Sequence, residues 1–237
     1  MVEIVPASMP KNFNQLKELV GRVHGFAKKV QVDVVDGRFV KHSFFSPKTW
    51  PYKDRRTFDH IVKEEKGLPF WQEVDYEFDL MIENPVEEVM NFVRAGGTHL
   101  VIHAAAPGAA EGLQKLVDLR QSDDGAFTIT TGIALMPDMQ PEVLEKFDAL
   151  YDYVQVMGIN RVGRQGEPFE PRSLSLIERL RRRYPDLAIQ VDGGVSLKTA
   201  RRLAQAGATR LVVGSAIVAA DNPEEAYKAL YTEANAG

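Results

Sequence analysis

The sequence predicts an α/β chain folded as a single-domain (β/α)8 barrel over residues 1–237. Three observations carry this reading. Short apolar runs alternate with amphipathic stretches eight times. The 237 residues suit one barrel better than two small domains. No low-complexity segment or linker divides the chain. A doubly wound open sheet is the runner-up, but it is usually built from fewer units.

Taken in order, "VEIVPA" is the first strand, followed by the helix "NFNQLKELVGRVHGFA" with Phe13, Leu16, Leu19, Val20 and Val23 at helical spacing. "KVQVDVVDG" is the second strand. Its helix is the weakest element and must lie within "TFDHIVKEEKG", after an aromatic and basic connection from His42 to Arg56. "EVDYEFDLMI" precedes "NPVEEVMNFVRAGG", a helix with proline at its start and glycine at its end. "HLVIHA" leads to "AAEGLQKLVDLR", "FTITTGIALM" to "PEVLEKFDAL", and "YDYVQVMGI" to "PRSLSLIERLRRRY". "LAIQVDGG" leads to "SLKTARRLAQAG", and "TRLVVGSAIV" to "PEEAYKALYTEA".

Composition narrows the function. A net charge of -4 argues against a nucleic-acid-binding surface. The absence of cysteine excludes disulfides, thiolate ligands and thiol nucleophiles. With no signal-like segment and no membrane-spanning run, the expected location is the cytoplasm, with no membrane partner.

Barrel enzymes place their chemistry at the C-terminal ends of the strands. Side chains at i and i+2 share a face of a strand, which pairs Gln31 with Asp33, Glu77 with Asp79, and Gln190 with Asp192. A single buried acid is as often a structural residue as a functional one. Three strands ending alike point to acids converging on one site, where repulsion must be relieved by a divalent cation or by retained protons. No basic residue lies on the same inward face of these segments. The turns "DGG" (192–194) and "GSA" (214–216) follow the last two strands and lead toward helix N-termini, where a barrel commonly holds phosphate. The expected ligand therefore has a phosphate at one end and meets three carboxylates at the other.

"VDVVDGRFV", "DLMIENP", "RAGGTHLVIHAAA", "VQVMGI", "IQVDGGVSLKTA" and "AGATRLVVGSAIV" resemble, in this order, strand segments of the ribulose-phosphate 3-epimerase family. The resemblance implies inversion of C3 of a ketose phosphate by two-aspartate acid/base proton transfer. Asp33 and Asp192 stand where the family has its acid/base pair. It also implies substrate contacts from Met81, Met157 and His103, and phosphate contacts from Gly193, Gly194, Gly214 and Ser215. Both metal-ligand histidines of the family are replaced, one by Gln31 and the other by Asp79. Val35 and Ala7 depart from a methionine and a serine of the family site, and the loop "NRVGRQGEPF" has an extra residue. With Gln31, Asp33, Asp79 and Asp192 as ligands the set is all oxygen, which favours magnesium or manganese over zinc. The expected partners are a phosphosugar and further copies of the chain in a homo-oligomer. Two other readings stay open: a different isomerase or lyase acting on a phosphosugar, and a non-catalytic phosphosugar-binding protein.

Overall fold

Eight parallel strands close into a barrel in sequence order, β1 through β8, with β1 also paired to β8. The computed structural model describes residues 1–40, 47–122, 128–164 and 166–236. Part of the expected His42–Arg56 connection (residues 42–46), Phe127 of the expected fifth strand and Gln165 of the loop after the sixth lie outside these residues.

The strands are β1 Glu3–Ser8, β2 Lys29–Val35, β3 Asp75–Met81, β4 Gly97–His103, β5 Thr130–Leu135, β6 Tyr153–Met157, β7 Ala188–Asp192 and β8 Arg210–Val213. The helices are α1 Phe13–Gly21, α2 Arg55–Val62, α3 Pro85–Arg94, α4 Ala109–Gln121, α5 Arg172–Arg183, α6 Ala200–Ala206, α7 Ser215–Val218 and α8 Pro223–Asn235.

Two elements differ from expectation for visible reasons. α2 starts at Arg55 rather than Thr57, because Asp54 caps it by accepting from the Thr57 backbone N–H at 3.4 Å, supported by the Thr57 hydroxyl at 2.8 Å. The segment after β5, Pro141–Phe147, is a 3-10 helix rather than an α-helix. Its buried residues Pro141, Leu144 and Phe147 recur every three positions, which is the 3-10 period.

The valines of β2 divide by the two-residue alternation of a strand. Val30, Val32 and Val34 belong to the main hydrophobic cluster, while Gln31 and Asp33 face the barrel axis. The register sets Gln31 beside Glu77 and Asp33 beside Asp79, and on the other side Gln155 beside Gln190 and Met157 beside Asp192. The interior below the mouth is therefore polar: Gln31, Glu77, Gln155 and Gln190 are all fully buried. Tyr153 fills the space beneath them because Gly132 lacks a side chain; a Cβ there would lie 2.6 Å from the Tyr153 ring. The Arg210 guanidinium covers the other face of this floor, 4.1 Å from the centre of the Tyr153 ring.

Candidate active site

Asp33, Asp79 and Asp192 arrive from β2, β3 and β7, and each offers an oxygen within 4.8 Å of the others. Asp79 is fully buried, whereas Asp33 and Asp192 are half-buried and line a cavity of about 550 Å³ at the barrel mouth. Burial and then the nearby Asp79 push the Asp33 carboxyl up to about 8, against the opposing effect of the Gln31 N–H. Burial, followed by repulsion from Asp33 and Asp79, holds Asp192 well above the ordinary carboxyl range.

A basic neighbour does reach the cluster, contrary to the reading of the β2, β3 and β7 segments alone. It comes from β4: His103 Nε2 lies 3.0 Å from Asp79 Oδ1. His103 is buried behind Asp79 and packs near Phe39, with ring centres 5.5 Å apart; it is not among the cavity-lining residues. Asp79 Oδ2 is buried with no hydrogen-bond partner among the described residues. A cation, Arg210, sits one layer lower, 3.7 Å from Glu77 Oε2. Burial raises the Glu77 carboxyl, while Arg210, Lys29 and hydrogen bonds from Gln190 and Tyr153 oppose that rise.

Gln31 stands beside the acids but presents its nitrogen. Its Nε2 donates to Asp33 Oδ1 at 3.0 Å, while its oxygen accepts from Gln190 Nε2 at 3.2 Å. The expected oxygen ligand is thus turned away from the three carboxylates.

The same cavity carries the two glycine turns, with Gly193, Gly194, Gly214 and Ser215 all in its wall. Gly193 and Gly194 have φ of +93° and +67°, backbone that favours glycine. A Cβ on Gly194 would meet Phe169 Cα at 2.9 Å and Gly158 O at 3.0 Å, so the bare backbone also fits the space. Met81 and Met157 add apolar wall to the cavity.

Several contributors escaped the sequence reading. Arg164 and Lys198 bring positive charge to the cavity wall. Asp36, the second acid of the β2 segment, holds a loop. It accepts from the N–H groups of Arg38 and Phe39 at 2.7 and 2.9 Å, and from Glu83 N at 2.8 Å. The two local bonds have the spacing of an aspartate-capped turn, a signal present in "DGRF". Thr49 pins the returning chain under β2, its hydroxyl donating to Asp33 O at 2.9 Å and accepting from Val35 N at 2.8 Å.

The raised Asp33 carboxyl has a consequence for stability. The folded chain keeps this proton up to about pH 8, whereas the unfolded chain releases it near 3.8. The folded state therefore binds more protons across that window, and its stability falls as pH rises through it. Asp33→Asn removes the effect. In chelator, the variant is expected to be more stable than the parent at pH 9 by a few kcal/mol (order of magnitude), with the difference vanishing near pH 3. Urea unfolding at the two pH values measures this, and an equal gap at both would refute it.

Comparison with known proteins agrees with this architecture. The model of the ribulose-phosphate 3 epimerase family matches residues 3–218. Ribulose-phosphate 3-epimerase from Schizosaccharomyces pombe is 31% identical over 229 residues, covering 96% of this chain and 92% of the relative. The enzyme of that name from Bacillus subtilis is 30% identical over 224 residues, with 92% of each chain covered. Among solved structures, KGPDC from Streptococcus mutans superposes with a TM-score of 0.70 at 14% identity, covering 99% of this chain and 98% of that one. A 3-hexulose-6-phosphate synthase gives 0.65 at 19%, covering 98% and 99%. At those identities the two structures speak to the fold alone. The family match spans strands β1 to β8, including the three that carry the acids and the two glycine turns, and on that match the chain belongs to the ribulose-phosphate 3-epimerase family.

Proposed function

We propose that this chain is an isomerase that inverts C3 of a ketose phosphate, with Asp33 and Asp192 as the acid/base pair. The observation that carries the reading is the cavity that joins these two carboxyls to the glycine turns 193–194 and 214–215. A phosphorylated sugar would lie between these two sets of groups. The backbone of Gly193, Gly194, Gly214 and Ser215 would receive the phosphate, and Lys198 and Arg164 add positive charge to the wall. Met81 and Met157 would pack against the carbon chain and limit water at the reacting carbon.

Inversion needs a base on one face of the carbon and an acid on the other. Two carboxyls that disfavour each other's charge titrate as a pair, and the state with one shared proton supplies one base and one acid. One carboxylate removes the proton next to the ketone, and the other carboxyl delivers a proton to the opposite face. The roles exchange in the reverse direction.

The residues present fit a divalent cation. Three acid oxygens converge within 4.8 Å, and Asp79 Oδ2 is left buried without a partner among the described residues. Asp33, Asp79 and Asp192 would hold the ion. The chemistry that such an ion supplies is charge stabilisation of the enediolate oxygens. An all-carboxylate set without cysteine or an imidazole ligand favours magnesium or manganese over zinc.

The test is incubation with ribulose 5-phosphate in deuterated water, with and without manganese. Deuterium at C3 together with the inverted product is the expected result. Binding without any exchange would leave a phosphosugar-binding protein, and exchange or cleavage elsewhere would point to different chemistry on the same scaffold; either outcome sinks this reading.

A further inference from the structure

A buried chain of side chains runs beneath the acids and ends on Gln31. Its lowest member is Glu77, whose Oε2 accepts from the Tyr153 hydroxyl at 2.8 Å and lies 3.7 Å from Arg210. Its Oε1 accepts from Gln190 Nε2 at 2.5 Å. That contact fixes which way the Gln190 amide points, because the opposite orientation would set an amide oxygen against a carboxyl oxygen. The same Nε2 faces Gln155 Oε1 at 2.7 Å and Gln31 Oε1 at 3.2 Å. Gln31 can meet an amide nitrogen only with its oxygen, so its own Nε2 is turned upward. There it donates to Asp33 Oδ1 at 3.0 Å, and its N–H also favours the ionised form of Asp192.

We propose that Gln31 is a positioning residue: Glu77 and Gln190 lock its amide so that N–H, not C=O, meets Asp33 and Asp192. The inference rests on the reading of those two acids as the proton-transferring pair. A neutral amide donor facing the two carboxyls holds Asp33 in one geometry without taking part in proton transfer. It bonds an ionised carboxylate at either position, so it tolerates the exchange of roles that a reversible inversion demands. Two protons on Gln190 Nε2 serve three oxygens, and the contact to Gln31 is the longest of the three. The lock on Gln31 is therefore one of polarity more than of strength, and it fails when Gln190 loses its amide or Glu77 the oxygen that accepts from it.

The experiment uses the substrate-free, nitrogen-15-labelled protein. The Gln31 side-chain amide signal is assigned by its disappearance in Gln31→Met. In the parent it is expected to exchange slowly with water. In Gln190→Met, which keeps the volume and removes the amide, it should shift and exchange faster. Glu77→Gln keeps the shape, removes the polar reference and should act in the same direction; it also serves where Gln190→Met does not fold. In the assay, kcat of Gln31→Met and Gln190→Met should fall about 10- to 100-fold with KM within about twofold, the range for residues that orient a reacting group. A purely structural role would lower stability and leave the Gln31 signal in place. An unchanged signal in Gln190→Met and Glu77→Gln overturns the proposal, as does a kcat of Gln31→Met within twofold of the parent. Failure of the epimerase reading shows instead in the parent, as absent exchange at C3, while the amide signal still decides the orientation.

Discussion

Asp192→Asn is expected to lower turnover about 100- to 10,000-fold, the range for removing a positioned general acid or base. Asparagine has the shape of aspartate but can neither accept nor deliver the proton. KM should change little, because the proposed phosphate contacts come from the backbone of Gly193, Gly194, Gly214 and Ser215 and not from the Asp192 carboxyl. The loss cannot be ascribed to unfolding. Asp192 is held well above its ordinary titration range by burial and by Asp33, so replacing it removes a source of strain. The variant should therefore unfold at a higher temperature than the parent at pH 8 while turning over far more slowly. Solvent exchange gives a finer test. With Asp33 intact, one epimer should still lose its C3 proton slowly to deuterated water, but without the inverted product. Turnover above a tenth of the parent's would remove Asp192 from the acid/base pair.

The parts of this site that follow from alternation along a single strand were readable in the sequence. Val30, Val32 and Val34 turn outward and Gln31 and Asp33 inward because successive side chains change face. The glycines at 193 and 194 were readable because a positive φ at a turn favours glycine. What was not readable depends on closure of the barrel. Gln31, Glu77 and Gln155 come from three different strands and meet Gln190 Nε2 only after eight registers are set. His103 is a similar case. Asp79 pairs in register with Val101, and the histidine two residues on reaches Asp79 diagonally. The amide direction of Gln31 decides between ligand and donor, yet it carries no sequence signal because glutamine offers both groups. The segment Pro141–Phe147 fails differently: apolar positions three apart fit an α-helix nearly as well as a 3-10 turn over so short a span.

Manganese is expected to raise the unfolding midpoint at pH 8 by about 5–10 °C at a hundredfold excess over its dissociation constant. At that excess a native-state ligand contributes about 2.7 kcal/mol. For a chain of this size each kcal/mol moves the midpoint by roughly 2–4 °C. The physical reason is the uncompensated cluster. Three acids offer oxygens within 4.8 Å of one another, and among the described residues the basic side chain hydrogen-bonded to them is His103, which meets Asp79 Oδ1. Without a cation, repulsion among them is relieved by holding protons, as the rise of Asp33 to about 8 reflects. A cation competes with those protons, so its stabilising effect should grow from pH 5 to pH 8 as the protons are easier to displace. Magnesium should act in the same direction, and zinc more weakly than its general affinity order would give, because the three groups that would hold the ion are all carboxylates. Asp79→Ala should abolish most of the manganese shift: it removes the one acid whose second oxygen is buried without a partner among the described residues, and leaves a pair of carboxyls that a shared proton can satisfy. A midpoint unmoved by manganese in the parent protein at pH 8 would mean that protons alone relieve the cluster. The enediolate would then have to be stabilised by hydrogen-bond donors already in place, such as the Gln31 amide.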